Sequence, residues 1–430
     1  MLRLACPFQL ARRWTTSPSE AGLRAAAVRQ QRREEPPSMA TKLAHAGIED
    51  GRRLSTTFER PPDGNYADGP IYSRSCNPTR KLLERALGKL ELEEEEETPT
   101  YCFSSGMAAV ASLVLACSDV HMLMPLDVYH GLPTQLHSCL ATHGVRHTAV
   151  DMTSLTAESL RQHCNHQGTL IVWLESPSNP MCQVTDIKGI CKLVDETRAT
   201  GAFPRTLTVV DSTWAPPCIT RPLTLGADAV VHSATKFLGG HSDVLLGSVS
   251  CSPRTENGVW LKERLEQVQT SIGAVASPLE CWLTLRGLRT LHLRAERQCQ
   301  TAMKLSQFLD DHDEVAICHY PGRPSHPQHE IAKRQMIGPD GGNLYGGMLS
   351  FEVRSEAFAM AVAGGCRIIK RATSLGGTET LIEHRASIEP PERRVSPPGL
   401  LRVSVGLEEA ADVINDLRTA LDVAATVMKS

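Results

Sequence analysis

The chain has no Cys-x-x-Cys pair among its 14 cysteines, no apolar run long enough to cross a bilayer and almost no surplus of charge of either sign. Each absence removes a class of protein. Cysteines scattered at irregular spacing in a chain of 430 residues make neither a disulfide framework nor a zinc site, and they read as reduced thiols. The longest apolar stretch, Gly106 to Cys117, is interrupted by Ser112 and falls well short of the roughly 20 residues that a spanning helix needs. With 45 Lys+Arg against 48 Asp+Glu, neither nucleic acid nor an anionic membrane surface is the expected partner. What is present is a 41% hydrophobic content, enough for a sizeable core over two to three domains. A soluble intracellular enzyme is the expectation.

The first 33 residues lack lysine and hold a single acid, Glu20, beside seven arginines: Arg3, Arg12, Arg13, Arg24, Arg29, Arg32 and Arg33. An Arg-rich, acid-poor, hydroxylated leader predicts a transit peptide, mitochondrial ahead of plastid, with the cytoplasm as the location if the segment is only an extension. Pro7 and Gln9 break the one short apolar stretch and argue against a secretory signal. Residues 1–38 are therefore set aside as leader, with ordered chain expected from about Thr41.

Beyond it, strands and helices alternate. Asn77 is placed to cap a helix with Pro78 at its first position, and Leu82, Leu83, Ala86, Leu87 and Leu90 follow at helical spacing. The acidic run Glu93 to Glu97 reads as a solvated helix end or loop. Val120–Met124, Leu170–Leu174, Leu207–Val210 and Ala229–Val231 read as short buried strands, with helical patterns between them at Gly106–Cys117 and Ile187–Thr197. Such alternation predicts a parallel α/β sheet. From about residue 287 a long helical stretch begins, and Val413, Ile414, Leu417 and Leu421 mark a last amphipathic helix. The expected organisation is an arm over 39–98, a large domain over 99–286 and a small α+β domain over 287–430.

Polar clusters interrupt this pattern where chemistry is expected. In an open α/β sheet the ligand crevice lies at the carboxyl ends of the strands. Phe103-Ser104-Ser105-Gly106-Met107 opens an apolar helix, either as an ordinary serine cap or as a cradle for phosphate. Asp211 ends a buried strand, where an acid needs a cation: an arginine or a protonated ring nitrogen. Lys236 follows another strand, behind the hydroxyls of Ser233 and Thr235. A lysine held in an apolar or cationic setting loses its proton readily and attacks carbonyls. His232 and His241 read as partners of backbone groups. A phosphate cradle, an acid for a ring nitrogen and an imine-forming lysine together describe a site for pyridoxal 5'-phosphate.

Eight segments then carry a resemblance: Tyr72-Ser-Arg-Ser-Cys-Asn-Pro-Thr79, Ser104-Ser-Gly-Met107, Asp127-Val-Tyr-His-Gly131, Glu175-Ser-Pro-Ser-Asn-Pro180, Val210-Asp-Ser-Thr213, His232 to Asp243, Ser374-Leu-Gly-Gly-Thr-Glu-Thr380 and Leu401-Arg-Val-Ser-Val-Gly406. In this order they resemble the Cys/Met-metabolism (trans-sulfuration) family of pyridoxal phosphate enzymes, of the cystathionine γ-lyase and γ-synthase type. The resemblance implies the aspartate aminotransferase-like fold type I, an α/β large domain with a mainly parallel sheet and an α+β C-terminal domain. It implies that Lys236 carries the cofactor and shuttles protons, and that Asp211 pairs with the ring nitrogen. By the same resemblance Gly106, Met107, Ser233 and Thr235 hold the phosphate, Tyr129 stacks over the ring with a part in proton transfer, and Asn179 and Thr213 lie beside it. Arg402, helped by Ser374 and Asn179, would bind the substrate carboxylate. Tyr72 and Arg74 would reach the phosphate of a neighbouring subunit, which implies a homo-oligomer, commonly a dimer of dimers. No metal is implied.

Two positions depart from the family pattern. Cys76 stands where glycine is usual, a strain only if that position needs positive φ. Thr373 stands where several relatives carry a glutamate that helps place the far ammonium of cystathionine. The expected reaction is γ-elimination of cystathionine to cysteine, 2-oxobutyrate and ammonia. Cystathionine γ-synthase is the alternative, followed by methionine γ-lyase, cystathionine β-lyase and homoserine sulfhydrylase, and a cofactor-binding protein without activity is the non-enzyme reading.

Overall fold

In the computed structural model the four apolar runs become neighbouring strands at the centre of one sheet. The structure describes residues 38, 39, 41, 54–58, 70–92, 97–162, 168–198, 205–389 and 394–428. The expected leader up to residue 37, and residues 93–96 of the acidic run, lie outside the described residues.

Strands β1 (Thr100–Phe103), β2 (Val120–Pro125), β3 (Arg146–Val150), β4 (Thr169–Glu175), β5 (Arg205–Asp211), β6 (Ala229–Ser233) and β7 (Gly247–Cys251) form a sheet in the order β1-β7-β6-β5-β4-β2-β3. The pairs from β3 to β6 are parallel, and β7 and β1 complete one edge by antiparallel pairing. Every residue of β4 is buried, as a parallel strand covered on both faces must be. Its side chains alternate accordingly. Ile171 and Trp173 enter a cluster with Phe103, Leu113, Val209 and Leu265, whereas Leu170, Val172 and Leu174 enter another with Val194, Val210 and Val230.

Helix α1 (Pro78–Glu91) begins as its residues predict: the Asn77 side chain accepts from the amides of Thr79 and Arg80, and Pro78 occupies the first turn. Leu83, Leu87 and Leu90 pack into a cluster that also holds Trp214, Phe237, Leu285, Leu288 and Met348. That cluster joins the large sheet to a second one. Strands β8 (Val315–His319), β9 (Met348–Val353), β10 (Lys370–Arg371), β11 (Leu381–His384) and β12 (Leu400–Ser404) make a five-stranded sheet in the order β10-β11-β12-β9-β8, antiparallel except for β10 on β11. The last helix, Ala410–Val427, buries Val413, Leu417 and Leu421 against it.

The topology gathers the site. β5 and β6 run parallel, and β1, antiparallel to β7, shares their direction. The ends of β4, β5, β6 and β1 therefore open on one edge, where β12 of the second sheet also supplies a residue. Among the described residues no helix is long and apolar enough to cross a membrane, and no group of histidines, cysteines or carboxylates is arranged to hold a metal. Cys76 is buried but does not have positive φ, so cysteine in place of glycine brings no backbone strain.

Candidate active site

A cavity of about 470 Å³ lies at that edge, lined by residues of both sheets. Lys236 enters it from the loop after β6, and its Nζ lies 2.8 Å from Ser374 Oγ. Burial and the nearby Arg402 guanidinium disfavour the ammonium, against a smaller opposing pull from Glu383, so the Lys236 pKa falls to about 8. Ser374 holds this arrangement in a left-handed backbone conformation, φ 85°, which a non-glycine residue adopts only when its surroundings impose it. Its neighbour Gly376 lies at φ 75°, with no room for a Cβ beside the Phe237 amide.

Asp211 and Glu175 end adjacent parallel strands as direct register partners. Both carboxyls are pushed up, by burial first; the charge of Asp211 adds to the shift of Glu175. They are held differently. Glu175 accepts from the Tyr129 amide through both oxygens, at 3.2 and 3.0 Å. Asp211 accepts from the Thr213 amide at 2.9 Å, and Thr213 Oγ in turn accepts from the Ser233 amide at 2.9 Å. Among the described residues no arginine or lysine pairs with Asp211, so of the two cations weighed from sequence the protonated ring nitrogen fits the cavity.

The phosphate end is built by helix α2 (Gly106–Leu115). Ser105 caps it, accepting from the Ala108 amide at 3.0 Å, and Gly106, Met107 and Ser233 line the cavity. Thr235 lines it too, but its hydroxyl accepts from the Leu246 amide at 2.9 Å and faces the Leu246 carbonyl at 3.3 Å. A Cβ on Gly106 would sit 3.0 Å from Ser233 Cβ and 3.1 Å from its Oγ. Gly106→Ala should therefore push Ser233 out of place and weaken cofactor affinity roughly tenfold without loss of fold, a change of order 1 kcal/mol typical of overpacking. Fluorescence titration of the apoprotein with pyridoxal phosphate, beside a melting curve, checks this.

Arg402 on β12 is buried among Asn179 (Nη1 to Oδ1, 3.2 Å), the Ser374 carbonyl (Nη2, 3.1 Å) and Glu383 (Nη2 to Oε2, 2.7 Å), and its Nε has no partner. Asn179 is held by its loop: Asp127 accepts from Ser178 Oγ and from the Met181 amide, and Ser350 donates to the Pro180 carbonyl. Tyr129 lines the cavity with its ring edge-on to His130, and burial raises its pKa, so the phenol is protonated and serves as a donor at neutral pH.

Sequence reasoning left Glu383 and Arg385 without a role, yet both line the cavity. The signal available to a sequence reading was weak, a polar cluster Glu383-His384-Arg385 directly after the apolar pair Leu381-Ile382. His232 also differs from expectation: its Nε2 meets buried Glu91 at 2.7 Å instead of a backbone group, while His241 Nδ1 does meet the Gly239 carbonyl at 2.8 Å. Tyr72 and Arg74 do not line the cavity of their own chain. Tyr72 is exposed, and Arg74 donates to the Thr270 carbonyl at 2.6 Å, in a turn braced from below by buried Arg80.

A lysine whose ammonium is disfavoured, a strand-end aspartate that no described arginine or lysine pairs and a glycine-floored helix terminus define an enzyme built for pyridoxal phosphate and an amino acid. The chain belongs to the Cys/Met metabolism PLP-dependent enzyme family, whose model matches residues 40–422. It is 38% identical to cystathionine gamma-lyase of Bacillus subtilis over 89% of this chain and 98% of that one. It is 39% identical to cystathionine beta-lyase of Coxiella burnetii over 85% and 91%. The crystal structure of cystathionine gamma synthase from Xanthomonas oryzae pv. oryzae in complex with cystathionine matches with a TM-score of 0.80 and 34% identity, covering 91% of this chain and 100% of that one. The protein is thus a PLP-dependent trans-sulfuration enzyme of fold type I, similar to lyases and synthases alike.

Proposed function

We propose that the protein is a cystathionine γ-lyase, converting cystathionine and water to cysteine, 2-oxobutyrate and ammonia. The observation that carries this reading is Ser374, whose hydroxyl meets Lys236 Nζ while its carbonyl meets Arg402. One residue thus sets the distance between the base and the anchor for an α-carboxylate, which brings Cα and Cβ of one bound amino acid to a single base. The phosphate would be held by the amides of Gly106 and Met107 with the Ser233 hydroxyl, joined by the Thr235 hydroxyl once its proton turns from the Leu246 carbonyl, and the ring by Asp211, Thr213, Asn179 and Tyr129. When bound, the cofactor supplies an electron sink for the charge left as protons leave carbon.

Lys236 takes the proton from Cα and later one from Cβ, which its lowered pKa suits. Arg402 fixes the carboxylate so that these protons, and not others, face the amine. Tyr129, kept protonated, donates to the sulfur as the Cγ–S bond breaks. The likeness to the Xanthomonas synthase favours a second reading, in which a cysteine thiol instead replaces a leaving group at Cγ. Mass spectrometry of the products from cystathionine and the pyridoxal phosphate-loaded protein separates the readings. Cysteine with 2-oxobutyrate supports the lyase; homocysteine with pyruvate moves the assignment to β-elimination. Absence of turnover moves it to the synthase, tested next with an activated homoserine and cysteine.

The same reading makes the site one of two subunits, Tyr72 and Arg74 serving the neighbour's phosphate. Arg74→Ala and Lys236→Ala subunits, each inactive alone, should recover on the order of a quarter of the wild-type rate when coexpressed, because mixed dimers contain one intact site. No recovery would mean that Arg74 acts within its own subunit.

A further inference from the structure

The charged side chains lining the cavity are Glu175, Asp211, Lys236, Glu383, Arg385 and Arg402. Four have been accounted for; Glu383 and Arg385 have not. They lie two residues apart, at and just past the end of β11, so strand alternation turns them to the same side. Their exposures are 5% and 2%. Arg385 donates through Nη1 to Glu383 Oε2 at 2.8 Å and through Nη2 to His130 Nδ1 at 3.3 Å, while its Nε has no partner. Arginine only donates, so His130 Nδ1 is a lone pair and brings no charge. Glu389 lies 3.9 Å from Arg385 Nη2, beyond hydrogen-bond reach, and its carboxylate is already engaged by Ser396 and the Val395 amide. Glu383 Oε2 is shared by both arginines, and its Oε1 has no partner.

Buried polar atoms are costly to leave unpaired. Here two ion-paired side chains of opposite charge line a ligand cavity and each keeps one atom without a protein partner, Nε on Arg385 and Oε1 on Glu383, a pattern complementary to a zwitterion. We propose that Glu383 and Arg385 form the subsite for the far amino-acid head of a two-headed substrate, Arg385 taking the distal carboxylate and Glu383 the distal ammonium. This deepens the reading of cystathionine as substrate and rests on it. Because Arg385 and Arg402 hold the same oxygen, the two heads must lie near each other, and the chain between them bends, as a flexible four-atom thioether linker allows. Thr373, on the same wall, supplies no charge. An amino acid with a single head leaves both atoms unpaired, the situation in which a polar site discriminates most strongly.

The test uses the pyridoxal phosphate-loaded enzyme and calorimetric titration with two ligands that have no bond to sulfur. 2,7-Diaminosuberate replaces the sulfur of cystathionine by methylene and keeps both heads; norleucine keeps one. Wild type should bind diaminosuberate about tenfold to a hundredfold more tightly than norleucine, the worth of a hydrogen bond to a charged group. Arg385→Met should bring the two affinities within about twofold with norleucine unchanged. Glu383→Gln, nearly isosteric, should lower the same ratio should Arg385→Met fail to fold. Equal wild-type affinities, or a variant that weakens both ligands alike, would overturn the proposal. Preference for diaminosuberate without cleavage of cystathionine would leave the subsite standing and remove the lyase reading; cleavage without preference would do the reverse.

Discussion

Replacing Lys236 by alanine should lower turnover of the proposed substrate, cystathionine, by on the order of a thousandfold or more, and borohydride should no longer fix the cofactor to the chain. The size follows from the geometry. Lys236 is the lysine lining the cavity, with Nζ set by Ser374 Oγ, and the neighbouring candidates are engaged: Glu175 accepts from the Tyr129 amide, the Tyr129 phenol is protonated and His130 Nδ1 meets Arg385. The same residue gives a pH signature. An amine captures an aldehyde only when neutral, and burial together with Arg402 sets its pKa at about 8 instead of the ordinary 10.5. Uptake of pyridoxal phosphate by the apoenzyme, followed by absorbance, should therefore rise with pH through about 8 and level above it. Below that value the ammonium form dominates and uptake slows. Substituting Arg402 removes a cation and should move the midpoint upward. Unchanged turnover in Lys236→Ala would remove the mechanism outright.

Lys236 and Asp211 were legible in sequence because each sits within a contiguous string at the end of an apolar run, where local pattern and chemistry coincide. Arg402 and Ser374 came from resemblance alone, since their meeting depends on a loop and a strand 28 residues apart. Glu383 and Arg385 were not legible for a different reason. Leu381-Ile-Glu-His-Arg385 shows no apolar–polar alternation to mark a strand face, and only the pairing of β11 with β12, which sets Glu383 opposite Arg402, makes one of them a cavity residue. His232 finds Glu91 across 141 residues of chain, a contact no local pattern carries. The parallel strands were legible by their apolar runs. β7, Gly247-Ser-Val-Ser-Cys251, is wholly buried yet three of its five residues are serine or glycine, its burial imposed by the neighbours β1 and β6.

Arg402→Met should reduce kcat/KM for cystathionine by roughly a hundredfold to a thousandfold, within the range for removing one member of a buried, hydrogen-bonded charge pair. Arg402 is charged at neutral pH although burial brings its pKa down to about 10, and its Nε stands ready to complete a two-point hold on a carboxylate. Arg402→Lys should recover little, because an ammonium cannot supply that fork. The loss should not be one of folding: Glu383 keeps Arg385 at 2.8 Å when Arg402 is gone, so no buried carboxylate is stranded. Comparing norleucine with pentylamine, the same molecule without its carboxylate, isolates the effect. Calorimetry on the loaded enzyme should show norleucine weakened by the substitution and pentylamine almost unaffected. Equal weakening of both would mean that Arg402 shapes the cavity through Asn179 and Ser374 and does not hold the carboxylate itself.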